Sequence, residues 1–271
     1  MDSRSPMVFF GVVFALAAPF WVAGTSGAKL PGLPMDLPVG ALMFVCPFVA
    51  AAVLSRRHGG TVRGLATTTL VPRGRAGAAW LGAAFLLVPA VMVPSYVVAS
   101  SLGAEGGAHA PVVAAPLLFA VFLVSAAAEE AGWTAYATDP LRRRLGALGA
   151  AVVLGTVWGV WHLVPLVQAG RSPAWTAWWF LGTVAARVIM VWVHRGSGGS
   201  VPSAVVFHAM LNVVPSLLPG YATDVTVVAC AALFTTLVAV PLGVRLLREP
   251  PPRDPGRARP APICGSWRDR R

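Results

Sequence analysis

The sequence predicts an all-α, polytopic bundle of transmembrane helices, with about eight spans and both termini cytoplasmic. Three observations carry this expectation. Of 271 residues, 56% are hydrophobic and only 11% charged, with a mean hydropathy of +0.71; soluble domains carry about 25% charged residues. Apolar runs close to the roughly twenty residues that cross a bilayer as a helix recur along the chain. Once these runs alternate in direction, 18 of the 21 Lys and Arg residues fall on one side. The low polar content also excludes a disordered chain. Three cysteines without regular spacing exclude a disulfide scaffold or a zinc finger.

The spans are read at 7–23, 38–54, 76–99, 112–137, 147–168, 173–193, 202–218 and 224–246. The first follows a single Arg4 and precedes small residues from Ala23 to Ala28, as a cleaved signal peptide would. It is read as a retained helix, because its removal would leave an odd number of spans ahead of the basic tail. Gly24 to Pro38, Ser55 to Arg75 and Gly196 to Pro202 hold charge, Gly and Pro, and read as loops. None of the runs alternates strictly every second residue, which favours helices over an outer-membrane barrel.

Arg4, five Arg between Arg56 and Arg75, Arg142 to Arg144, Arg195 and eight Arg from Arg245 onward lie on the inner side. Lys29 and Arg171 lie outside, and Arg187 falls within a span. The pI near 11.3 is therefore positive-inside bias plus a basic tail suited to anionic lipid headgroups, and nucleic acid is not an expected partner.

Ionisable groups within a bilayer cost at least about 2.5 kcal/mol each and need a reason. Glu129 and Glu130 lie in the fourth span, His162 in the fifth, Arg187 in the sixth, and His208 with Asn212 in the seventh. At 3.6 residues per turn, Glu129, Gly132, Trp133 and Tyr136 share one face, while Glu130 faces Thr134. Gly155, Gly159 and His162 share another face. That Gly-x-x-x-Gly spacing lets a neighbouring helix approach closely, so His162 is expected to point into the bundle. Any one of these groups could be an interhelical hydrogen bond; two carboxyls, two imidazoles and an amide together suggest a site. Arg187, about six residues from the cytoplasmic end, can snorkel to it.

Several chemistries are absent. The chain has no His-Glu-x-x-His, no Gly-x-Gly-Asp, no Gly-x-Ser-Gly beside a histidine and no phosphate-binding glycine loop. A carboxylate with a neighbouring imidazole can instead activate water as a general base. A second imidazole with an amide can stabilise an oxyanion. Two His plus a Glu (here Glu129, His162 and His208) is also a zinc-type ligand pattern, so a divalent metal such as zinc stays open as a cofactor. Either version hydrolyses an acyl bond.

Three motifs make the resemblance specific. Glu129-Glu130-Ala-Gly-Trp-Thr134-Ala135-Tyr136 followed by Asp139-Pro140 is similar to the first motif of the CPBP family, the CAAX-protease and bacteriocin-processing (Abi) group. Trp158-Gly-Val-Trp161-His162 resembles the second. Arg195 through His208-Ala-Met-Leu-Asn212 resembles the third. The resemblance covers roughly 112–217 and implies a type II CAAX prenyl endopeptidase-like intramembrane metalloprotease with a cytoplasm-accessible cavity. It implies Glu129 as the activator of water with His162 assisting, His208 and Asn212 at the oxyanion, and Glu130 in support. The implied organisation is three N-terminal spans over 1–111, the catalytic core over 112–217, a last span over 218–246 and a disordered Arg/Pro tail over 247–271. A peptide or protein at the membrane is the implied substrate. Two further readings are a catalytically silent scaffold or immunity factor, and a transporter or proton relay.

One position departs from the family. Its first motif reads Glu-Glu-x-x-x-Arg-Gly, whereas this chain has Thr134 and Ala135. Glu130 then needs a proton or another cation, and Arg187 is the intramembrane candidate. If the site is weakened there, Thr134→Arg with Ala135→Gly should raise activity. A depth count also fails to close: His162 lies about 24 Å from Gly146, deeper than Glu129 or His208 from their own ends.

Overall fold

Helix starts follow local chemistry throughout the computed structural model, which describes residues 5–28 and 39–248. The Thr61 hydroxyl accepts from the Gly64 amide at 3.0 Å and opens α3, Val62–Leu70. Ser172 and Asp224 cap α7, Pro173–Gly196, and α9, Val225–Leu247, in the same way. Proline sits in the first turn of α1 (Pro6–Gly24), α2 (Cys46–Arg57), α5 (Ala115–Gly132), α6 (Asp139–Gln168) and α8 (Val201–Leu217). Its missing amide proton costs nothing there. The remaining long helix, α4, spans Gly74–Ser101.

All of this is helix, and no strand occurs among the described residues. Six apolar helical stretches are long enough to cross a membrane, with α8 as a shorter apolar helix. One of the six runs for 57 residues, Val112–Gln168, and contains two of the expected spans. It is divided by a π-helical turn at Trp133–Thr138 and by Gly146, whose φ of +74° is open only to glycine at little cost. Large apolar side chains such as Leu86, Val97, Leu117 and Leu237 point outward along the helices, where lipid would meet them. The chain is a polytopic helical membrane protein.

The segment 55–75, expected as a loop, contains α3. Its apolar pattern is too short to register as a span, but Thr61 supplies a cap and Leu65 is buried. The expected tail over 247–271 falls almost wholly outside the described residues.

Two apolar cores meet at α5. One gathers α4, the first part of α5, α7, α8 and α9; the other gathers α1, α2, the π turn and the middle of α6. The expected Gly-x-x-x-Gly contact is present. A Cβ on Gly155 would stand 2.9 Å from Val184 Cα, and one on Gly159 would stand 2.7 Å from the Phe180 ring. Both lie under α7, so α6 and α7 touch nearly backbone to backbone. Gly155→Ala should therefore lose stability by about 1–3 kcal/mol through overpacking, outweighing its better helix propensity. A thermal melt in detergent reads the result, and an unchanged midpoint would count against this contact.

Candidate active site

The adjacent carboxylates of α5 point to different partners. Glu130 is fully buried and accepts four hydrogen bonds. Arg187 donates through Nη1 to Oε2 at 2.9 Å and through Nη2 to Oε1 at 3.1 Å. His208 donates through Nδ1 to Oε1 at 2.9 Å, and the Thr134 hydroxyl donates to Oε2 from one turn along the helix. A carboxylate has about four lone-pair sites, so Glu130 is saturated and has no capacity left for water.

Glu129 is engaged once by a side-chain donor. The Trp158 indole Nε1 donates to its Oε2 at 2.9 Å, and the carboxyl group also lines a cavity of about 140 Å³. That cavity is walled by His162, His208 and Asn212 as well. The expected site residues therefore converge from α5, α6 and α8, with Glu130 one layer behind. Trp158, one turn before His162, already touches Glu129, so the two stretches meet despite the depth count.

Histidine tautomers follow from the partners. His162 Nδ1 lies 2.9 Å from the Trp158 carbonyl, which can only accept, so Nδ1 holds the proton and Nε2 keeps a lone pair. His208 Nδ1 faces the Glu130 carboxylate and is likewise the protonated nitrogen. Asn212 stands one turn beyond His208 and is half-buried.

Two residues carry more of this site than the sequence reading gave them. Arg187 does not snorkel: it has 0% exposure and is the cation expected for Glu130, held there through both terminal nitrogens. The signal was present, since it is an arginine deep in a span facing the glycine stripe of α6. Trp158 lies at i−4 from His162 and so on the same face, a spacing that could have marked it. The zinc-type set of Glu129, His162 and His208 is not assembled in this structure. Among the described residues, no three His, Cys, Asp or Glu side chains are grouped as a metal requires.

Residues 111–214 match the family described as type II CAAX prenyl endopeptidase Rce1-like. Over that segment the chain is similar to the Rce1-like family. The segment contains all five expected site residues together with Trp158 and Arg187. The chain is also 28% identical over 134 residues to CAAX prenyl protease 2 of Methanococcus maripaludis, covering 46% of this chain and 48% of that protein. It thus spans about half the length of this curated relative. The resemblance read from the three motifs agrees with both matches, and the Rce1-like segment holds the whole cavity wall supplied by α5, α6 and α8.

Proposed function

We propose that this protein is an intramembrane endopeptidase that hydrolyses a peptide bond with water activated by Glu129. The observation that carries the proposal is the meeting of Glu129, His162, His208 and Asn212 on one cavity inside an apolar bundle. Glu129 takes the proton from water as general base, and His162 offers its free Nε2 to the same water. Asn212 donates to the developing oxyanion. His208, its Nδ1–H committed to Glu130, lines the same cavity beside Asn212 at the oxyanion. Burial strengthens each of these terms.

The relative's name supports a peptidase of the CAAX type. The basic inner segments support a multi-pass orientation in the cell membrane with both termini cytoplasmic, near anionic headgroups. The silent-scaffold reading rested on Thr134; Arg187 supplies the cation that Thr134 lacks, which favours an intact site.

The test is proteolysis by purified protein in detergent on a library of membrane-tethered peptides. Wild type is compared with Glu129→Ala, each with and without a strong chelator. Cleavage that depends on Glu129 is expected; cleavage that survives Glu129→Ala, or none beside an active relative, overturns the proposal. Loss on chelation would bring a metal into the reaction. On the cleaved peptide, Asn212→Ala should lower kcat by about 10²–10³-fold, the usual cost of one oxyanion donor. An unchanged kcat would remove Asn212 from that role.

A further inference from the structure

Trp158 takes no part in the chemistry proposed above, yet it touches nearly every group that does. It is buried, at 6% exposure. Its indole N–H binds Glu129 Oε2 at 2.9 Å, and its carbonyl accepts from His162 Nδ1 at 2.9 Å. The Arg187 guanidinium carbon stands 4.8 Å from the ring centroid, in cation–π contact. His208 and His162 meet the same ring at steep angles, with centroids 4.9 and 5.3 Å away.

These contacts have different consequences. Arg187 is already fixed by two bonds to Glu130, so the ring lying against it is fixed in turn. The N–H then reaches Glu129 from a held position and binds it by a charge-assisted hydrogen bond. A glutamate has three rotatable side-chain bonds, and one anchored oxygen selects among their rotamers. The His162 contact sets that ring's tautomer as well as its place.

We infer that Trp158 is a positioning residue: its N–H sets the rotamer of Glu129, and its ring and carbonyl hold the two histidines at the cavity wall. The inference rests on the endopeptidase reading of Glu129. Trp158→Phe separates the two roles, because phenylalanine keeps an aromatic face for Arg187 and has no donor. On the peptide cleaved in the library, kcat should fall about 10²-fold, as misplacement by about 1 Å can cause, with KM within about twofold. A variant that merely loosened the cavity would raise KM.

A second measurement needs no substrate and no altered tryptophan. In ultraviolet resonance Raman, the hydrogen-bond-sensitive indole band should change in the difference between wild type and Glu129→Ala. One tryptophan of the ten should move from strongly to weakly bonded. A flat difference spectrum overturns the inference. So does an unchanged kcat in Trp158→Phe beside an inactive Glu129→Ala, which leaves the endopeptidase standing. Cleavage that survives Glu129→Ala removes the reading on which the inference rests.

Discussion

Arg187→Met should destabilise the protein by about 3–5 kcal/mol and silence the site, because it leaves the Glu130 carboxylate buried without a countercharge. Glu130 and Arg187 both have fully buried side chains, and two hydrogen bonds at 2.9 and 3.1 Å join them. Nothing else among the described residues places a permanent cation on Glu130. His208 shares that carboxylate, so its ring would lose its orientation with the ion pair. Glu130→Gln should cost comparably, since it leaves a buried guanidinium instead. The double variant Arg187→Met with Glu130→Gln should lose clearly less than the two single losses added together. An additive cycle, measured by unfolding in detergent, would sink the idea that the pair acts as a unit.

This ion pair also reverses an expectation drawn from the motif. With Thr134 in place of the family's arginine, the motif makes Thr134→Arg with Ala135→Gly restorative if the site is weakened. Glu130 is in fact already filled, and Thr134 donates to it. A second guanidinium there would bring an uncompensated charge into the core. Thr134→Arg should therefore lower stability and activity in the wild-type background. In Arg187→Met it should recover part of both, because the cation would return to the same carboxylate from a different helix. No recovery would mean that position 134 is too distant in this backbone to replace Arg187.

Glu129→Gln should lower kcat by about 10²–10⁴-fold, the range of a general base, with little change in melting temperature. Glutamine still accepts from the Trp158 indole and takes up the same volume, so packing is preserved. What it loses is the ability to take a proton from water. Adjacent carboxylates should therefore give opposite signatures: a stable but silent protein at 129, an unstable one at 130. If Glu129→Gln cleaves normally, or if it melts like Glu130→Gln, the division of labour between them is wrong.

The motif residues were legible because each is ionisable or polar in a stretch where such groups are expensive. Glu129, Glu130, His162, His208 and Asn212 stand out against apolar neighbours, and their order and spacing matched one family. Helical periodicity correctly set Thr134 beneath Glu130 and the glycine stripe beneath another helix. It could not distinguish the two glutamates in chemistry. That distinction depends on which donors arrive from α6, α7 and α8, and those helices are brought together by packing.

By itself the sequence determined the class of the protein: helices long and apolar enough for a bilayer, a basic side and a buried polar set. Those follow from composition and period, which are local properties read along one chain. Only the tertiary structure decided that Arg187 pairs with Glu130, 57 residues away, and does not snorkel, and that Trp158 holds Glu129 from 29 residues away. It also decided that α3 forms within an expected loop and that α5 ends in a π turn. For the two polar pairs the physical reason is the same. A buried charge or N–H takes its partner from whichever helix faces it, and the facing is fixed by helix packing, not by distance in sequence.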